Sequence, residues 1–134
     1  MAIDLDRLVG FHQKALNLRE QRMELISGNI ANANTPGYKA KDIDFQAAMK
    51  MAQTDHKQSM VRTDSKHMVG SMHATSMIQY RLPLQPDTGD GNSVELQQER
   101  NAFLDNGLRY QATLEFVKGK LKGMKKALSG GQGA

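Results

Sequence analysis

Residues 27–45 decide the fold, and they read Ser-Gly-Asn-Ile-Ala-Asn-Ala-Asn-Thr-Pro-Gly-Tyr-Lys-Ala-Lys-Asp-Ile-Asp-Phe. An apolar pattern of helical period leads into this stretch, and Pro36 prevents the helix from continuing. We expect Asn34 to take a left-handed conformation at the helix end. Pro36 and Gly37 suit the central positions of a type II turn, since glycine accepts the positive φ required there. The stretch therefore predicts a long helix that ends in a tight turn.

The first long helix is predicted from about residue 3 to residue 33 and carries two apolar stripes, whose centres lie roughly 100° apart. A helix with one neighbour needs only one stripe. Two stripes indicate either two separate neighbours or a helix that lies in a groove of its own subunit. The first stripe is Leu5, Val9, His12, Leu16, Arg19, Met23, Ile26, Ile30 and Ala33, and the second is Leu8, Phe11, Ala15, Leu18, Arg22 and Leu25.

A second long helix is predicted to start after a turn at residues 87–92. Asn92 and Glu95 resemble a capping box. Steps of four and three residues then place mostly apolar side chains along one line, which is typical of a coiled-coil seam. Gly107 lies on this seam, and its lack of a side chain indicates close backbone approach by a partner helix. The seam is Leu96, Arg100, Phe103, Gly107, Tyr110, Leu114, Val117, Leu121, Met124 and Leu128.

The segment between the two helices has less regular periodicity. Asp42 or Asp44 can cap a short helix that begins near Phe45. From about residue 53 to residue 86 we expect extended or loop structure, with Thr75–Leu82 as the best strand candidate.

The predicted fold class is mainly α. Long N- and C-terminal helices pair as a coiled coil, with a short helix and an irregular, partly β middle segment. Residues 1–35 and 92–129 are expected to form one discontinuous helical domain. Residues 36–91 form the middle segment, and residues 130–134 form a flexible tail.

The composition gives little support for catalysis. The 134 residues suffice for one modest core, include no cysteine or tryptophan, and carry a net charge of +4. No nucleophile-elbow or phosphate-loop pattern is present, and His67 and His73 lack the spacing of metal ligands. We therefore expect no enzyme activity, no cofactor and no metal. The acidic N-terminus does not resemble a secretory signal, and no apolar run is long enough to span a bilayer.

The three asparagines near the end of the first helix have two interpretations. Asn29, Asn32 and Asn34 either only terminate the helix, or their amides hydrogen-bond to the backbone of a neighbouring subunit, because buried amides need partners.

These residues resemble a known family. The run Asn29–Tyr38, followed by Asp42–Phe45, is similar to the N-terminal motif of bacterial flagellar rod, hook and axial proteins. Residues 91–100, 106–111 and 120–124 resemble the C-terminal region of the proximal-rod type of flagellar basal-body protein. The likeness covers roughly residues 5–52 and 83–128.

The resemblance implies a structural, non-enzymatic subunit of the proximal rod, the drive shaft that spans the periplasm and transmits motor torque. Such proteins leave the cytoplasm through the flagellar type III export apparatus without a cleaved signal. The implied partners are copies of itself, other rod proteins, the base-to-rod adaptor and the export gate. The implied assembly joint, where the chain leaves the helical layer, is Asn29, Ile30, Asn32, Asn34, Pro36, Gly37 and Tyr38. The helix seams that we expect to make contacts are Leu16, Met23, Ile26 and Ile30 in the first helix, and Phe103, Tyr110, Leu114, Val117, Leu121 and Met124 in the second.

Two other classes of function stay open at this point. The lysines near the C-terminus, including Lys122 and Lys125, are compatible with a small basic helical protein that binds nucleic acid. They also suit the negative end of the helix dipole, which is the simpler explanation. A soluble export chaperone is a third, weaker interpretation.

Overall fold

The computed structural model of the chain describes residues 5–54, 77–85 and 89–130. Its elements are α1 (Leu5–Ala31), β1 (Lys41–Ile43), α2 (Phe45–Thr54), β2 (Ile78–Tyr80) and α3 (Leu96–Leu128). The long helices α1 and α3 pack against each other, and the short helix and the two strands lie between them in the chain. This arrangement confirms the predicted fold class.

The two long helices run antiparallel. Near the end of α1, the amide of Asn29 reaches Glu99 in the first turn of α3. Near the other end of the pair, the rings of His12 and Phe116 stack with centroids 6.2 Å apart. Gly107 lies between these points, and a Cβ built there would meet the Met23 side chain at 3.7 Å. The close approach expected at this glycine is therefore made by a side chain of α1.

The second stripe of α1 packs on α2 and the small sheet. Its buried members, Ala15 and Leu18, form a cluster with Ile43, Ala48 and Met49. Leu25, Phe45, Met77 and Ile78 pack around that cluster. Both stripes of α1 thus have neighbours within the same chain, which answers the question that the sequence left open.

β1 and β2 form a two-stranded antiparallel sheet in which Lys41 pairs with Tyr80 and Ile43 pairs with Ile78. Strand β2 confirms the candidate Thr75–Leu82 at Ile78–Tyr80, but the described residues on either side are not strand, and β1 was not predicted. Residues 55–76 and 86–88, with His67 and His73, lie outside the described residues. So do residues 131–134 of the expected tail.

The turn after α1 is only partly as predicted. Gly37 has a φ of 73°, which confirms the positive φ expected there, and the Tyr38 amide donates to the Thr35 carbonyl. Asn34 does not take a positive φ, so the predicted left-handed end is wrong. Asp44 caps α2, since its side chain accepts a hydrogen bond from the Ala47 amide at 3.1 Å.

Three carbonyls of the turn that follows α1 are bound by the side-chain amide of Asn92. Its Nδ2 lies 3.1 Å from the Asn32 carbonyl oxygen and 2.9 Å from those of Ala33 and Thr35. The residue at the N-cap of α3 is Glu95, which makes no side-chain capping bond. The predicted capping box is therefore wrong, because α3 begins only at Leu96. Asn92 Oδ1 accepts from the Val94 amide at 2.8 Å, and Glu95 Oε1 accepts from the Leu84 amide at 2.7 Å.

We expect Gly37→Val to lower the free energy of unfolding by about 1–3 kcal/mol, because a β-branched residue is strained at positive φ. The measurement is urea unfolding followed by circular dichroism at 222 nm. Gly28→Ala is the matched control. It lies inside α1, where a Cβ meets only the Tyr38 hydroxyl at 3.9 Å. It should stabilise the chain by about 0.5–1 kcal/mol. Equal effects of the two changes would contradict this account of the turn.

Candidate assembly joint and helix seams

A partly buried ion-pair network joins the end of α1 to the start of α3. It consists of Arg22, Asn29, Asp42, Arg81 and Glu99, which come from α1, β1, the residue after β2, and α3. Two guanidinium groups face two carboxylates, so the network is electrically neutral. Because its members come from four parts of the chain, it fixes their relative positions.

Glu99 is the most buried charged residue of the network, with no exposed surface. Its Oε1 accepts a hydrogen bond from Arg81 Nη1 at 2.5 Å, and its Oε2 accepts one from Asn29 Nδ2 at 3.1 Å. Removing a carboxylate from water costs several kcal/mol unless it is paired and hydrogen-bonded. Both oxygens have partners here, so the burial of Glu99 depends on Arg81 and Asn29 being in place.

Asp42 connects the two arginines. Arg22 binds it through two nitrogens, with Nε 2.8 Å from Oδ1 and Nη2 3.0 Å from Oδ2, and Arg81 Nη2 lies 2.5 Å from Oδ2. Burial alone would raise the pKa of Asp42, but the hydrogen bonds from Arg22 and Arg81 outweigh it and leave the pKa below its ordinary value. The hydrogen bond between Arg22 and Asp42 also raises the pKa of Arg22.

Asn29 attaches the end of α1 to β1. Its Nδ2 donates to the Lys41 carbonyl at 2.7 Å and its Oδ1 accepts from the Lys41 amide at 3.0 Å, as a neighbouring strand would do. With the bond to Glu99, both amide hydrogens are used. The idea that this amide binds a neighbouring subunit's backbone is therefore wrong for Asn29. Asn32 is also satisfied locally, since it donates to the Gly28 carbonyl at 2.8 Å.

The other residues of the predicted joint lie around this network, toward the surface. Ile30 and Tyr38 are partly buried, whereas Asn34, Pro36 and Gly37 are exposed. The Gly37 amide donates to the Asp90 carbonyl at 2.9 Å, which ties the turn to the segment before α3. The joint residues are thus adjacent in space, with an inner part held by hydrogen bonds and an outer part open to solvent.

The side of α3 that faces α1 is more polar than the sequence predicted. The buried residues of α3 are Glu99, Asn106 and Thr113, which are spaced by seven. Asn106 donates to the Arg19 carbonyl at 2.8 Å, and Thr113 donates to the carbonyl of Arg109 in its own helix at 2.8 Å. Glu99 and Asn106 fix the register of the pair, because a slip would separate them from their partners Asn29 and Arg19 on α1.

The predicted seam residues lie beside this polar line. In α1, Ile26 is buried and Leu16, Met23 and Ile30 are partly buried. In α3, Leu121 is exposed, and the residues that are partly buried are Phe103, Tyr110, Leu114, Val117 and Met124. Most of the α3 seam therefore keeps solvent-accessible apolar surface in the single chain.

Arg19 and Asn106 lie in the interface between α1 and α3, but not all of their polar atoms have hydrogen-bond partners. The Arg19 guanidinium lies 4.2 Å from the centre of the Phe45 ring, a cation–π contact. Burial lowers the pKa of Arg19, and the positive charges of Arg109 and Arg22 add to this effect. Arg19 Nε and Asn106 Oδ1 are buried and have no hydrogen-bond partner.

Within residues 5–54, 77–85 and 89–130, no group of three or more histidines and carboxylates is placed to bind a metal ion. No helix in that part of the chain is both long enough and apolar enough to cross a membrane. The hydrogen bonds and ion pairs of the network hold α1, the sheet and α3 in fixed positions relative to one another.

Comparison with known proteins shows the class of protein to which this chain is similar. Residues 11–39 match the family described as flagella basal body rod protein. A flagellar basal body rod protein FlgB from Aeromonas hydrophila is 51% identical to this chain over 132 residues, which cover 98% of this chain and 100% of the relative.

The FlgB protein of Escherichia coli K12 is 41% identical, covering 95% of this chain and 96% of the relative. That of Buchnera aphidicola is 35% identical, covering 94% of this chain and 97% of the relative. The chain belongs to the FlgB family of flagellar basal body rod proteins. This family is structural, so the chain is a rod subunit and not an enzyme, and the nucleic-acid-binding interpretation has no support.

The sequence analysis missed the ion-pair network, although one signal was available. Arg22 occupies a position in an apolar stripe of α1, and Arg81 stands among Tyr80, Leu82 and Leu84. A charged residue at an apolar position of a pattern needs a buried partner of opposite charge. The spacing within the sequence does not identify that partner, because Arg81 and Asp42 are 39 residues apart.

Replacing Glu99 by leucine should lower the free energy of unfolding by about 2–4 kcal/mol, because it leaves the Asn29 amide and one face of the Arg81 guanidinium buried without an acceptor. Thermal unfolding by circular dichroism measures this. The control is Glu115→Leu, which removes an exposed pair with Lys118 and should change stability little. A destabilisation by Glu99→Leu no larger than that of the control would contradict the role given to the network.

Acid should remove the stabilising effect of Asp42. Its folded-state pKa lies below the ordinary value of 3.8, so its ionised form stabilises the fold above that pH. This contribution is lost as the pH falls through the lowered pKa. We expect Asp42→Asn to be less stable than the unchanged chain at pH 7, and the difference to shrink steadily below pH 3.8. Urea unfolding at a series of pH values tests this, and a difference independent of pH would contradict it.

Proposed function

We propose that this chain is a subunit of the proximal rod, the part of the flagellar drive shaft nearest its base, and that it transmits motor torque. The observation that supports this most directly is that the joint residues are held by hydrogen bonds while the α3 seam residues keep solvent-accessible surface. The ion-pair network fixes the end of α1 on α3, whereas the apolar residues further along α3 have only part of their surface covered.

The helical part supplies the contacts between subunits. In this proposal, residues 1–35 and 92–129 act as one helical domain, and residues 36–91 form the segment that leaves it. The half-covered side chains Leu114, Val117, Leu121 and Met124 pack against helices of other copies. Burial of apolar surface stabilises such contacts by about 25 cal/mol per Å², and many of them act together in a closed tube.

The joint supplies stiffness. Torque passes between subunits only if each one keeps its shape, and closely packed, fully paired interiors deform little. The network of Arg22, Asp42, Arg81 and Glu99 prevents the helical domain from rotating against the middle segment. Residues Asn29, Ile30, Asn32, Asn34, Pro36, Gly37 and Tyr38 would then form the stiff exit from the helical layer.

The partners in this proposal are copies of the chain, other rod proteins, the base-to-rod adaptor and the export gate. Export by the flagellar type III apparatus without a cleaved signal belongs to the same proposal. Support for it comes from the family to which the chain belongs.

Leu114→Asp or Leu121→Asp should abolish swimming and rod assembly in a strain that lacks its own subunit of this type. A carboxylate on the seam leaves a charge buried without a partner when helices of other copies pack there. The measurements are swimming in soft agar, isolation of rods, and immunoblotting for expression. Gln13→Asp, at an exposed position of α1, is the control and should swim normally. Normal rods in the Leu114→Asp and Leu121→Asp strains would overturn the seam contacts.

A further inference from the structure

Asn106 is the asparagine of this chain that is followed directly by glycine. The other six asparagines precede leucine, isoleucine, alanine, threonine or serine. An asparagine side chain is chemically labile, because the backbone nitrogen of the next residue can attack its amide carbon. Glycine at that next position leaves the approach open, since it has no side chain and its backbone turns freely. The pair Asn106–Gly107 is therefore the most labile asparagine position of the chain.

The reaction at this pair requires water and no other reagent. The Gly107 nitrogen bonds to Asn106 Cγ, the bond from Cγ to Nδ2 breaks, and Nδ2 leaves as ammonia with the proton of the Gly107 nitrogen. Water then adds to one of the two carbonyl carbons of the resulting cyclic imide and opens the ring. The product is aspartate or isoaspartate, and in isoaspartate the backbone runs through Cβ and Cγ of the residue.

Helical structure prevents the attack while the chain is folded. Both residues lie inside α3, where each backbone nitrogen donates its hydrogen to the carbonyl one turn earlier. The Gly107 nitrogen therefore points along the helix axis, whereas the Asn106 side chain points away from the axis. The nitrogen reaches Cγ only after this turn of α3 has unwound.

Packing against α1 adds a second protection. Asn106 has no exposed surface, so the water that the second step needs does not reach it. Its Nδ2 donates to the Arg19 carbonyl at 2.8 Å, which holds the amide against α1. Asn101, on the same helix, is exposed. The labile pair thus lies on the side of α3 that folding covers.

The products of the reaction do not restore this contact. An ionised carboxylate at position 106 has no hydrogen for the Arg19 carbonyl, so two oxygens face each other in a buried place. Isoaspartate in addition lengthens the backbone by one carbon atom, which breaks the regular repeat of α3 between Glu99 and Thr113. Folding thus protects the asparagine, and the product of its reaction opposes folding.

We propose that Asn106 is a site of spontaneous deamidation that the α1–α3 pair protects, and that a chain which reacts there while unfolded does not rebuild the pair. The site limits how long the chain stays competent to fold. The ion-pair network takes part in the protection, because Glu99 precedes Asn106 by about two turns on the same side of α3. Both residues hold α3 against α1, so a break at Glu99 makes unwinding at Asn106 easier.

The rate of deamidation in the folded and the unfolded chain is the first test. The chain is incubated at one mildly alkaline pH with and without guanidinium chloride, and the tryptic peptide of residues 101–109 is examined by mass spectrometry. We expect Asn106 to react at least about tenfold faster in the unfolded chain, because only the small open population reacts under folding conditions. Asn101 in the same peptide precedes alanine and should react slowly in both conditions. Equal rates at Asn106 in the two conditions, or equal loss of Asn101, would overturn the proposal.

Gly107→Ala separates the chemistry from the fold. A Cβ at position 107 meets Met23 at 3.7 Å, an ordinary van der Waals contact, so the variant should fold as the unchanged chain does. In guanidinium chloride it should deamidate several-fold more slowly, because the alanine methyl group restricts the approach of the nitrogen.

Refolding of both aged chains tests the second part of the proposal. Each chain is kept in guanidinium chloride and then diluted into buffer, and the recovered helix is measured by circular dichroism. The unchanged chain should lose recoverable helix in proportion to the isoaspartate formed, while Gly107→Ala should keep it. Full recovery of helix by chains that contain isoaspartate at position 106 would overturn this part.

Weakening the network should expose the site under folding conditions. Glu99→Leu should raise the rate at Asn106 by about tenfold or more, because it raises the population in which α3 is open. Glu115→Leu, at an exposed position of α3, is the control and should leave the rate unchanged. The same rate in both variants and the unchanged chain would overturn the protection assigned to the network.

Discussion

The structure depends on one electrostatic constraint, which is that the carboxylates of Asp42 and Glu99 are withdrawn from water only where their partners reach them. Asp42 is partly buried between Arg22 and Arg81, and Glu99 is fully buried against Arg81 and Asn29. Each guanidinium belongs to a different part of the chain, with Arg22 in α1 and Arg81 directly after β2. Losing any one member leaves a buried charge or amide without its partner, and that costs more than an intact pair contributes. The network therefore makes the positions of α1, the sheet and α3 mutually dependent.

The same constraint explains how a chain with a small core holds a defined shape. Among the described residues few large apolar side chains are fully buried, and the buried apolar cluster consists of Ala15, Leu18, Ile43, Ala48 and Met49. Apolar burial alone specifies position poorly, because apolar contacts have no direction. The hydrogen bonds that Glu99 accepts from Asn29 and that Asn106 donates to Arg19 do have direction, and they select one register of α3 on α1. Apolar side chains on α3 and after β2 stay exposed in the single chain.

Local features of the fold were predictable from short stretches of sequence. The lengths of the long helices, the positive φ of Gly37 and the cap of α2 by Asp44 depend on residues a few positions apart. The left-handed end expected at Asn34 was wrong, because the carbonyls there are bound by Asn92, about 60 residues later. The apolar seam of α3 was read from the residue types alone. It lies beside the line that faces α1, because the polar residues Glu99, Asn106 and Thr113 occupy the most buried positions, and the first two have partners on α1.

The sequence by itself thus determined the class of the fold, the helix boundaries to within a few residues, and the family motif. These follow from backbone preferences and periodicity, which act over one or two helical turns. Only the tertiary structure decided which charges pair, which side of α3 is buried, and which apolar residues stay exposed. Pairs such as Asn29 with Glu99 join residues 70 positions apart. Nothing in the local pattern distinguishes one distant partner from another, because that choice is made by the geometry of the folded chain as a whole.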